Sequence, residues 1–170
     1  IPTVRLFLLD EATQLLRCGI GVGLPLEDEQ DFAVPVGEGL SGRVAATRLP
    51  LAVTDMRHDP RLRQPEHAQR HGRVSFLGLP VVHQDRLFGV LVFNTPEPRE
   101  YREGDIALLA AFAQLAAAAL HHAQVHERIQ FELGERRQAE AALRRQEAQY
   151  RSLAENLPDT IARFDLAFRY

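Results

Sequence analysis

Residues 104–155 constrain this chain more than any other stretch, because they read as one helix far longer than a small domain needs. Asp105 can cap its start, since a short acidic side chain accepts hydrogen bonds from the orphan N–H groups of a first turn. Residues 106–120 are nearly all apolar and rich in alanine, whereas 127–151 are charged and keep only a thin apolar stripe. A helix apolar nearly all round is buried on several sides; one with a narrow stripe meets a single partner. The pattern predicts a globular domain that ends near Leu120 and continues as an exposed rod. At ~1.5 Å of rise per residue, about fifty residues span roughly 75 Å. A rod of that length serves to join things.

Charge and composition narrow the function. The formal net charge is −3, and no basic patch with interleaved aromatics is present, which argues against a direct nucleic-acid partner. Cys18 is the one cysteine; it excludes an internal disulfide and fits a reducing, cytoplasmic compartment. All 20 basic residues are arginine, so Schiff-base lysines, Walker A loops and kinase ATP-binding lysines are excluded from this segment. The apolar run 106–120 is too short for a bilayer and contains Gln114, so no membrane contact is expected from it. No signal peptide opens the sequence, which begins inside a strand-like run and reads as a fragment.

Residues 3–10 and 15–22 are β-type runs around a polar "EATQ", a hairpin with a short loop. An acidic stretch, "LEDEQD", is expected as an exposed loop before the short strand "FAVPV", whose Pro35 suits only an edge or a strand end. Gly37, Gly39 and Gly42 then satisfy G-x-G-x-x-G between a strand and a short helix, with Asp55 near the spacing of a ribose-binding acid. A parallel crossover needs about a dozen residues or more, and only eight separate Gly42 from Leu51. The glycines are better read as a tight strand-to-helix turn. G-x-S-x-G fails at Arg43, so Ser41 is no nucleophile elbow.

Residues 56–72 form a loop with a helical turn or two after Pro65. Its His58, His67 and His71 lack a cysteine or carboxylate to complete a zinc set, so no metal site is expected. Residues 73–95 hold two strands turning at 84–86. Asp55, His58 and Asp59 are the one candidate acid–base cluster, and no nucleophile accompanies them; no catalytic residues are expected. The order β-β-β-α-β-(loop/α)-β-β-α, with hairpins at both ends, predicts an α+β fold on an antiparallel sheet.

At this point the chain resembles the GAF domain family. The matching pieces are "VRLFLLDE", "VPVGEGLSGRVAATRLPLAVTDMRHDPRL", "FLGLPVVHQDRLFGVLVFNT" and "YREGDIALLAAFAQLAAAAL". The resemblance implies a six-stranded antiparallel sheet with flanking helices and a small-molecule or regulatory pocket. The family's usual N-terminal helix has no counterpart in this sequence, so a sheet face is expected to be partly uncovered. By resemblance, the pocket candidates are Leu40, Ser41, Leu62, Gln64, His67, Ser75 and Phe76. Orphan N–H groups at the helix start near Leu40–Ser41 would attract an anion or carbonyl. The cofactor is left unknown. Cys18 is followed by glycine and lies in the first hairpin, which argues against a covalent bilin. Thr95 and Ile106 stand where cyclic-nucleotide binders carry lysine and glutamate, which argues against cyclic GMP or AMP. An empty pocket in a ligand-free dimerisation module is the rival reading.

Three parts follow: a GAF-like sensory domain over 1–124, a coiled-coil linker helix over 125–155, and over 156–170 a β-run after "ENLPD" that resembles the entry to a PAS domain. Val125, Ile129, Ala139, Leu143, Tyr150 and Leu153 fall on a and d positions of one heptad frame, interrupted by Glu132, Arg136 and Gln146. A parallel homodimer is expected through this helix, with Ala111, Ala118, Val125, Ile129, Leu143 and Tyr150 at its interface. The resemblance implies a regulatory piece of a signalling protein, such as a sensor histidine kinase or a cyclic-dinucleotide enzyme.

Overall fold

The structure is a computed structural model of the 170-residue chain and describes residues 2–23 and 32–155. The acidic stretch 26–31 and the PAS-like run after residue 155 lie outside the described residues.

Thr3–Asp10 (β1) and Leu15–Val22 (β2) pair as an antiparallel hairpin. The Asp10 carboxylate closes the loop by accepting from the backbone N–H groups of Ala12 and Thr13. Ala33–Pro35 (β3) lies at the sheet edge, where the missing N–H of Pro35 is tolerated. Gly39–Thr47 (α1), Leu51–Val53 (β4) and Pro65–Arg70 (α2) follow, then Phe76–His83 (β5), Arg86–Asn94 (β6) and Glu103–Glu155 (α3). Gln84 and Asp85 both take positive φ, 47° and 62°, as a two-residue hairpin turn requires. The six strands form one sheet in the order β3-β2-β1-β6-β5-β4, with every neighbouring pair antiparallel. This is the expected α+β architecture.

Strand alternation divides the core into two layers. On one face Phe7, Leu16, Val90 and Val92 meet Leu40, Val44 and Ala45 of α1 and Ala68 of α2. On the other, Leu77, Leu79 and Val81 meet Ala113 and Ala117 of α3. The pairing steps from Val81↔Gly89 to Val82↔Leu87 and passes over Phe88, a bulge that turns this ring to the α3 layer. Ile20 and Val22 on β2 stay 62% and 68% exposed, in keeping with a sheet face only partly covered.

α3 begins at Glu103, so Asp105 lies inside its first turn, and the Asp105 carboxylate accepts from the Arg102 N–H at 3.4 Å. Within the chain the apolar run is buried on one side only, which corrects the expectation of burial on several sides. Ile106, Leu109, Ala110, Ala113, Ala117 and Leu120 turn to the sheet, while Leu108, Phe112 and Leu115 are 61%, 55% and 68% exposed. Among the described residues one helix, α3, is long and apolar enough to cross a membrane, and its apolar stretch contains the stripe packed on the sheet. The chain divides into two compact units, Ile1–His122 and Ala123–Tyr170; the described part of the second is helical to Glu155, with an Arg136–Glu140 pair at i,i+4.

Candidate functional site

The turn into α1 is built by close backbone approach. Gly37 and Gly39 have φ of 90° and 61°, and a Cβ on Gly42 would stand 2.2 Å from the Pro35 carbonyl oxygen. The Gly37 N–H donates to the Gly42 carbonyl at 2.8 Å. The glycine motif thus seats the helix against β3 and buries Leu40 and Ser41 in its first turn. Glu38, at the N-cap, provides no side-chain cap.

Residues 56–64 form the next wall. The Asp59 carboxylate accepts from the backbone N–H and guanidinium of Arg61, and the Leu62 N–H donates to the Asp59 carbonyl. Hydrogen bonding from Arg61 holds the Asp59 carboxyl below its ordinary range, and Arg57 in the same way brings Asp55 down to about 2. Both carboxylates are therefore ionised and arginine-bound, which removes them as proton donors near neutral pH. α2 supplies His67, stacked on Phe32 with ring centroids 4.7 Å apart, and His67 meets His71 edge-on at 4.6 Å.

These segments and the β1/β6 surface line a cavity of about 60 Å³ that is partly open to solvent. Leu40, Ser41, Leu62, Gln64, His67 and Phe76 all line it, together with Phe7, Phe32, Met56 and Ala68. Ser75 does not, which corrects that candidate. It precedes β5 and turns to the layer of Tyr101 rather than that of Phe76, with its hydroxyl 2.6 Å from that of Thr95 and 3.0 Å from that of Tyr101. Sequence reasoning missed the polar lining. Arg5 Nη2 donates to Asn94 Oδ1 at 2.7 Å, and Asn94 Nδ2 donates to the Ser75 carbonyl at 2.7 Å. Arg73 closes the same wall; Arg5, Arg73 and Asn94 are 5%, 4% and 1% exposed. The signal for Arg5 was its inward register between Thr3 and Phe7 in an alternating strand.

The dimer candidates are all on α3. Ala111 is exposed and Ala118 half-buried, while Val125, Ile129, Leu143 and Tyr150 are exposed. In sevens from Ile129, the exposed Leu115 and Leu108 occupy the same heptad position.

Compared with known proteins, residues 4–121 match the family model described as GAF domain. The chain is 30% identical over 99 residues to the Nif-specific regulatory protein of Herbaspirillum seropedicae; the match takes in 55% of this chain and 18% of that protein. It is similar to the GAF domain of a phosphoenolpyruvate-protein phosphotransferase from Coxiella burnetii, with a TM-score of 0.67, 26% identity, and 73% and 74% of the two chains covered. A domain assigned to a two-component sensor histidine kinase of Sinorhizobium meliloti 1021 shares the fold, with a TM-score of 0.61, 16% identity, and 73% and 81% covered.

Proposed function

The chain belongs to the GAF domain family, and from that premise we propose that it is the sensory domain of a multidomain signal-transduction protein. A small molecule enters the cavity between α1, α2 and the sheet, and a homodimer formed through α3 carries the response onward. The observation behind this reading is the cavity itself: apolar walls surround a few buried polar groups, the composition of a small-molecule site. Similarity to a regulatory protein supports the signalling context. The output is read as a sensor histidine kinase or a cyclic-dinucleotide enzyme, and the domain itself as regulatory, non-catalytic and cytoplasmic. A ligand-free dimerisation module is the second reading, favoured by the exposed row Leu108, Phe112 and Leu115.

A metabolite screen by thermal denaturation separates them. A ligand that binds only the folded state adds RT ln(1 + [L]/Kd), about 2.7 kcal/mol at a hundred times Kd. The expected outcome is a rise in Tm for some class of compound, abolished in Ala68→Leu, which fills the cavity from α2. No rise with any compound, beside an intact dimer, decides for the second reading.

A further inference from the structure

The sheet-facing stripe of α3 ends on a histidine. Ala113 and Ala117 are buried in one layer with Leu77, Leu79 and Val81, and His121 is the next residue at the same four-residue spacing. It is half-buried, His122 beside it is exposed, and the first compact unit closes there. What His121 packs against is also ionisable. Its ring centroid lies 4.7 Å from that of His83, the last residue of β5, with 31° between the planes. Phe88, turned to this layer by the bulge, meets it edge to face at 6.2 Å. The Arg86 guanidinium sits over that same Phe88 ring, 5.0 Å from the centroid.

Thus β5 presents a histidine to His121, β6 an arginine, and α3 itself His122, with ring centroids 6.1 Å apart. Of the carboxylates at this end of the sheet, Asp85 lies in the exposed turn between the strands, and Glu11 accepts from Arg86 Nε at 2.8 Å. Arginine keeps its charge throughout the range in which histidine titrates. Neutral imidazoles pack here without penalty, whereas an imidazolium would face a fixed cation and a second titratable ring. Partial burial, followed by His83, His122 and Arg86, holds His121 below its ordinary value of 6.5. Above that value the ring is neutral whether the turn is docked or free, and docking has its full strength. As pH falls below it, the free turn takes up a proton that the docked turn refuses. Docking weakens until pH reaches the lowered docked value.

We propose that His83 and His121 form an acid-released clasp: neutral, they hold the last sheet-bound turn of α3 on the β5–β6 hairpin, and protonation frees that turn. The device needs no ligand in the cavity and stands apart from the ligand-binding reading. Its test follows the imidazole resonances of the chain by NMR from about pH 8 to about pH 5. Hydrogen-exchange protection of the amides at 117–122 is measured over the same range and corrected for the intrinsic effect of pH. His121 should titrate lower in the folded chain than in urea. Protection at 117–122 should fall with pH by a factor that approaches the ratio of those two acid constants. Protection at 106–113 and in β5 and β6 should hold, which distinguishes release of one turn from unfolding. His121→Phe keeps a ring against Phe88 and His83 but takes no proton, so its protection should no longer fall, and His83→Phe should raise the His121 titration toward its value in urea. The clasp is overturned by a folded-state titration at or above the value in urea, by protection that stays constant while His121 titrates, or by an unchanged pH dependence in His121→Phe. A loss of protection shared by the whole domain overturns it equally. Titration and protection of the unaltered chain decide even where a variant fails to fold.

Discussion

Asp59 is a small residue with a large share in the site. Its side chain is 8% exposed, and it fixes the segment that brings Leu62 and Gln64 to the cavity. Arg61 lowers its folded-state pKa, so the stability it contributes is fully present above the unfolded value near 3.9 and is lost as pH falls through the lower folded value. Asp59→Asn should cost about 1–3 kcal/mol at neutral pH, measured by urea unfolding. The gap between the two proteins should stay constant from pH 7 to about pH 5 and close at more acid pH. A gap independent of pH would show that the carboxylate charge contributes nothing. Asn94 and Arg5 act at the same scale through a contact between residues 89 positions apart. No local pattern announces such a pair. Arg5 reads as an anomaly in its strand until β1 is known to lie beside β6.

The turn from β3 into α1 is held by proximity of backbone to backbone. Gly42→Ala would drive a methyl into the Pro35 carbonyl, which cannot yield without moving the edge strand. The expected loss is about 2–3 kcal/mol, read by chemical denaturation, together with weaker ligand binding because Leu40 and Ser41 shift. Elements of this kind were legible in the sequence, since glycine placement, strand alternation and hairpin turns are local signals. The long helix was legible for the same reason, from its alanine-rich apolar run, the thin stripe that continues it and the absence of proline between residues 104 and 155. What remained hidden was which surfaces meet. Ser75 and Phe76 are neighbours in sequence and face opposite layers, and the resemblance alone put both in the pocket. The apolar half of α3 read as buried on several sides, because composition counts apolar residues and cannot tell a sheet-facing stripe from one awaiting a partner.

For the whole molecule, that second stripe sets the association expected of it. Leu108, Leu115, Ile129, Leu143 and Tyr150 recur at sevens and are all exposed in a single chain. Light scattering at tens of micromolar should give a dimer, and Leu115→Glu with Ile129→Glu should give a folded monomer. In a full-length protein, seven residues inserted after Gln138 should preserve regulated output, whereas four shift the seam and reset its basal level. Output that ignores insertion length would make α3 a passive tether. The polar thread Arg5–Asn94–Ser75–Tyr101 crosses the sheet from the cavity to within two residues of the start of α3. If the proposed ligand and dimer are coupled along this thread, linkage makes the effect of ligand on dimerisation equal to the effect of dimerisation on ligand affinity. The dissociation constant of the ligand is then a function of how much protein is present. Measured on either side of the monomer–dimer midpoint it should take two values, and Tyr101→Phe should bring them together. Under the proposed function, a cell could set the threshold of the response through the abundance of the protein, with no change in the pocket.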